Sequence, residues 1–155
     1  MSKQTLPILI DAICEAYDNP AWRQGKDGTT HCDAVVGYVL AKFGVTDYLT
    51  DEWTANMMID DMVKNPIFKP VNGSKEAQRL ANRGDVVVAG IKANPHGHVA
   101  IVRPGMSEWS NSWRRLAPKG MSVGSEVATF IGKKLSWAFR SEPLYFLVRS
   151  TDDVT

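Results

Sequence analysis

Cysteine and histidine are scarce in this 155-residue chain: it has two cysteines, Cys14 and Cys32, and three histidines. Two cysteines close at most one disulfide, which a domain of this length does not need in order to fold. Long apolar runs are missing as well. The opening stretch "MSKQTLPILIDAICEAYDNP" has a short apolar segment, but Asp11 and Glu15 interrupt it before it reaches the length of a signal h-region or a membrane span. The expectation is therefore a soluble protein, made in the cytoplasm without a Sec-type signal, and with no membrane partner. Charge of one sign is the third absence. Eighteen basic residues offset 17 acidic ones for a net +1, and no block of like charge exceeds two positions, which leaves no electrostatic footprint for nucleic acid. Nor is there an internal repeat, a low-complexity tract or a linker long enough to divide the chain. A single domain over residues 1–155 is expected, with 44% hydrophobic residues to build its core.

Along the chain, Leu6 to Tyr17 has helical apolar spacing that Asn19-Pro20 ends, because a residue before proline is pushed out of the helical region. Cys14 lies among Leu9, Ile10, Ile13 and Tyr17 and reads as a buried core thiol. A polar, glycine-bearing loop leads to Thr30 and Asp33, spaced as a capping pair, so a second helix starts at about His31 or Cys32. Its buried stripe is Val35, Val36, Val39, Leu40 and Phe43, and Gly44 supplies the stop. Thr50 or Thr54 caps a third helix through Met57, Met58, Met62 and Val63, the methionines reading as core filler. "FKPVNGS" reads as a turn region, and Ser74, with Glu76 close behind, starts the short helix "KEAQRLAN", which stops before Gly84. The period then changes. "GDVVVAGI" and "HVAIV", separated by "KANPHG", read as two antiparallel strands, with further short strands expected in "MSVGSEVATFIG", "KLSWAF" and "LYFLVRS". Helices first and strands later give an α+β fold, N-terminal helices packed on a C-terminal antiparallel sheet.

Cys32 is the residue whose position suggests chemistry. A thiol at a helix N-terminus meets unpaired backbone N–H groups and the positive end of the helix dipole, which favour the thiolate and lower its pKa from about 8.5. A nucleophile also needs a base, and His98 opens the strand "HVAIV", where it can face a helix packed on the sheet. Helix cysteine followed by strand histidine is the order of a papain-like cysteine hydrolase. Two blander readings compete with this: a cysteine that is merely core, and a zinc-stabilised binding module using His31, Cys32, His96 and His98. Against zinc, the adjacent His31 and Cys32 diverge, and the usual spacing of paired ligands is absent from the first half. Trp22, Gln24, Trp109 and Trp113 fall in loop-like stretches and are candidate walls of a groove. Each tryptophan reads equally well as a surface anchor.

The stretches "CDAVVGYVLAKFG", "EAQRLANRGDVVVAG" and "GHVAIV" resemble the NlpC-type and CHAP-type cell-wall peptidases, in which a cysteine-bearing helix precedes a "GD-V-V" strand and a "GHVA-V" strand. More closely, the chain is similar to the first family of type VI secretion amidase effectors, over about residues 8 to 148, including "GKKLSWAF". The resemblance implies a papain-like fold with Cys32 as nucleophile and His98 as general base, and no cofactor or metal. A third group would orient the histidine from a neighbouring strand; the matching stretch "MSVGSEV" offers Ser122 or Ser125. Asp33 departs from expectation, since a carboxylate beside the nucleophile opposes the thiolate, and the helix cap is its expected role. The implied activity is a DL-endopeptidase on peptidoglycan stem peptides, at the γ-D-glutamyl-meso-diaminopimelate bond. The implied setting is a monomeric antibacterial toxin acting in the periplasm of a target cell and held in check by a cognate immunity protein. A phage-type or housekeeping CHAP-like cell-wall hydrolase shares the chemistry but not the delivery.

Overall fold

A computed structural model describes residues 5–22, 31–50, 52–124 and 128–149. The fold is α+β. Three helices come first, α1 (Thr5–Asp18), α2 (Cys32–Ala41) and α3 (Ala55–Lys64), followed by strand β1 (Phe68–Val71) and helix α4 (Ser74–Asn82). Among the described residues seven further strands follow: β2 (Val87–Ile91), β3 (His98–Val102), β4 (Glu108–Ser110), β5 (Arg115–Ala117), β6 (Lys119–Ser122), β7 (Phe130–Lys134) and β8 (Leu144–Val148). Strands β1-β8-β2-β3-β6-β7 form one antiparallel sheet in that order, and β4 with β5 forms a small separate hairpin.

Alternation along the central strands creates two cores. Val88, Val99, Ile101, Met121 and Phe146 point to one face and pack with Leu9 and Ile13 of α1, Val35, Val39 and Leu40 of α2, and Met58, Ile59 and Met62 of α3. Val87, Ala89, Ala100, Val102 and Tyr145 point to the other, where Ala77, Leu80 and Ala81 of α4 meet Trp113, Phe130, Leu135 and Phe139. The sheet is thus covered on both sides, which is why "VVVAG" is a continuous apolar run and not an alternating one. Met58 and Met62 are core, as their spacing suggests, while Met57 is exposed on the outer face of α3.

Several expectations need correction. The segment read as a turn, "FKPVNGS", contains β1, paired with β8 in the register Phe68↔Val148 to Val71↔Tyr145. It was concealed by Pro70, which a strand tolerates because β1 is the sheet edge and needs no second partner. The sheet therefore begins before α4 and is not purely C-terminal. Part of "KLSWAF" is a short 3-10 turn, Leu135–Trp137, and not a strand. Trp109 lies in β4 and Trp113 in the turn between β4 and β5, so that region carries a hairpin. Among the described residues no helix is long and apolar enough to cross a membrane.

Candidate active site

Cys32 is the first residue of α2. The helix is held against the sheet by Val35, Val36, Val39 and Leu40, none more than 1% exposed. Gly37 lets it lie against the following loop: a Cβ there would come within 2.8 Å of the Tyr48 carbonyl oxygen. Gly44, at φ +90, ends the turn that follows. The expected cap is different in detail. His31 is the N-cap and makes no side-chain capping bond, while Thr30 lies outside the described residues.

The thiol meets strand β3. The backbone N–H groups of Val99, Asp33 and Cys32 itself lie near Cys32 Sγ and favour its negative form. Val99 N–H belongs to the peptide that joins Val99 to His98, so the sulfur sits beside the strand's first link. These three donors favour the thiolate, as the helix start predicts. They do not win: burial pushes the thiol up to about 11, and the Asp33 charge adds to the rise. Asp33 therefore acts on the thiol electrostatically, beyond the capping role expected of it. At 8% exposure Cys32 is buried, whereas Cys14, read as the core thiol, is partly exposed.

His98 opens β3 and pairs with Ile91 across the hairpin. Its Nε2 lies 2.7 Å from Ser122 Oγ, on neighbouring β6. Ser122 is 1% exposed, and of the two serines considered it is the one seen to hold the ring; Ser125 lies outside the described residues. The imidazole packs against Phe139, ring centroids 5.1 Å apart and tilted by 52°. Gly124 leaves space for its edge: a Cβ at that position would sit 3.1 Å from His98 Cε1. Enclosed in this way, the imidazole is pushed down to about 4 by burial. Thiol and imidazole are thus both neutral at pH 7.

Phe139 and Gly124 carried no signal in the sequence, because their role depends on strands that meet only in the folded chain. Trp113 is not a groove wall. It is 6% exposed, and its indole Nε1 donates to the Phe139 carbonyl oxygen at 2.9 Å, supporting the residue that supports His98. Trp22 packs on Tyr38, centroids 5.2 Å apart, Trp109 is exposed on β4, and Gln24 lies outside the described residues.

The zinc grouping does not assemble. His31 is at the start of α2, His96 is exposed in the β2–β3 turn, and among the described residues no three His, Cys, Asp or Glu side chains come together to hold a metal.

No family model matches the chain. It is 30% identical over 97 residues, 63% of its own length, to the peptidoglycan amidase Tse1 of Pseudomonas aeruginosa. The match spans 59% of that relative's length.

Proposed function

We propose that the chain is a papain-like cysteine amidase that cleaves the stem peptides of peptidoglycan, with Cys32 as nucleophile and His98 as base. The observation that carries this reading is the helix-start thiol of Cys32 lying near the Val99 N–H, at the first link of the strand that bears the Ser122-held imidazole of His98. The 30% identity over 97 residues with a peptidoglycan amidase supports peptidoglycan as the substrate class.

The chemistry runs from a neutral pair. With Nε2 engaged by Ser122, Nδ1 is the nitrogen that takes the thiol proton. Since the thiol is held up and the imidazole down, the proton moves as the sulfur attacks the amide carbonyl and not before. The new C–S bond gives a tetrahedral oxyanion, and a backbone N–H at the start of α2 is suited to receive its charge. The C–N bond then breaks, the departing amine taking the proton from His98 and leaving a thioester on Cys32. Water, deprotonated by His98, attacks that thioester. Its collapse releases the carboxylic acid, and the proton on His98 restores the thiol.

Within this reading the scissile bond is that between γ-D-glutamate and meso-diaminopimelate, and the enzyme is a type VI toxin acting in the periplasm of a rival cell, with an immunity protein as partner. The resemblance of the "CDAVVGYVLAKFG" and "GHVAIV" stretches supports these finer assignments. Digestion of purified sacculi, with mass analysis of the released fragments, tests the proposal: wild type should release peptides that begin with meso-diaminopimelate, leaving D-glutamate on the glycan, and Cys32→Ala and His98→Ala should release none. Identical product profiles for wild type and Cys32→Ala would sink it.

A further inference from the structure

The turn that delivers His98 is gripped by a residue on α3. Asn56 Nδ2 donates to the Ala93 carbonyl oxygen at 2.8 Å, and Asn56 Oδ1 accepts from the Ala93 N–H at 3.2 Å. One side-chain amide thus satisfies both backbone groups of a single residue in the β2–β3 turn, a two-point attachment that fixes orientation as well as distance. The same oxygen defines what stands before the histidine. A Cβ on Gly97 would collide with Asn56 Oδ1 and lie 2.6 Å from the Ile91 carbonyl oxygen, so only glycine fits between the clamp and the end of β2. One turn along α3, Asp60 meets Lys92 Nζ at 2.6 Å, but both partners are about half exposed and that pair is the weaker tie.

We infer that Asn56 is a positioning residue for His98, holding the Lys92–Gly97 turn against α3 so that the imidazole enters β3 in one register, and that Gly97 is glycine because the clamp occupies the space of its side chain. Catalytic geometry is sensitive at this level, since a displacement of about 1 Å of a reacting group costs on the order of a hundredfold in rate. Asn56 is on α3, which follows the Cys32 helix, so the clamp also ties the base to the layer that carries the nucleophile.

The inference rests on the amidase reading for its catalytic consequence, but the clamp has a readout of its own. Wild type, Asn56→Ala, Gly97→Ala, the Asn56→Ala/Gly97→Ala double variant and Asp60→Asn are compared by kcat and KM on soluble muropeptides, and by the NMR signal and titration of the His98 Cε1–H. Asn56→Ala should lower kcat by roughly tenfold to a hundredfold with KM within about twofold, and should move the His98 signal. Asp60→Asn should do neither. Gly97→Ala should be less harmful in the Asn56→Ala background than alone, because one of its two collisions is gone; strict additivity overturns the shared-space claim. A folded Asn56→Ala with wild-type kcat and an unmoved His98 signal overturns the positioning role. If Asn56→Ala fails to fold, Gly97→Ala, which keeps the amide and displaces it, carries the same test. An inactive wild type whose His98 signal still moves on Asn56→Ala contradicts the amidase reading and supports the clamp.

Discussion

Ser122 and Cys32 hold the sharpest consequences of single side chains. Removing the Ser122 hydroxyl takes away the partner of His98 Nε2, and a neutral hydrogen bond of this kind is worth about 1 kcal/mol. Ser122→Ala should therefore lower kcat on muropeptides by about fivefold while the fold, followed by circular dichroism, persists. At Cys32 burial decides the reactivity. With the thiol pushed up to about 11, only about one molecule in ten thousand holds the thiolate at pH 7. Iodoacetamide should consequently label the partly exposed Cys14 before Cys32 at pH 7.5, with the Cys32 rate climbing as pH rises toward 11. This reverses the order expected from helix position alone. Preferential labelling of Cys32 at neutral pH would mean that the helix start and the three N–H donors outweigh desolvation.

Among the elements, α2 and α3 have separable jobs: one carries the thiol, the other grips the turn before the base. Leu40 is fully buried between α2 and the sheet, and its truncation to alanine should cost 2–5 kcal/mol, of the order seen for large-to-small core changes, as a shift in the urea midpoint. For α3 the start matters. Thr54 Oγ1 accepts from the Met57 N–H at 3.2 Å, and Thr54→Ala should cost about 1 kcal/mol in the same assay. Helices α1 to α3 and strands β2 and β3 were legible because their periods are unambiguous: apolar residues three and four apart, then β-branched runs between turns. Strand β1 was not, since four residues containing a proline carry no period, and their pairing partner β8 lies near the other end of the chain.

At the scale of the whole molecule, Cys32 and His98 set limits on stability from both sides. His98 binds its proton at about 4 in the folded protein and near its ordinary 6.5 when unfolded. Between these values the unfolded chain holds more protons, so stability should fall as pH drops from 6.5 toward 4, by roughly 3 kcal/mol, and level off below. Cys32 works in the opposite direction. Its folded value of about 11 exceeds the ordinary 9.0, the folded chain holds more protons in that interval, and stability should fall as pH rises through it. Urea titrations across pH check both arms: His98→Ala should flatten the acid slope and Cys32→Ala the alkaline one. An unchanged acid slope in His98→Ala would show that other groups dominate acid unfolding.

What the sequence determined by itself was local: which stretches are helices and strands, that Cys32 begins a helix, and that His98 begins a strand. Each follows from spacing and from caps and turns a few residues away. The tertiary structure decided everything that depends on strands adjacent in space and distant in the chain. It selected Ser122 as the partner of Nε2, set Phe139 and Gly124 around the ring, made Trp113 a support and not a wall, and hung the turn before His98 on Asn56. It also reversed the expected state of the thiol. A helix terminus is visible in a sequence, whereas desolvation is a property of the completed core, and at Cys32 desolvation is the larger effect.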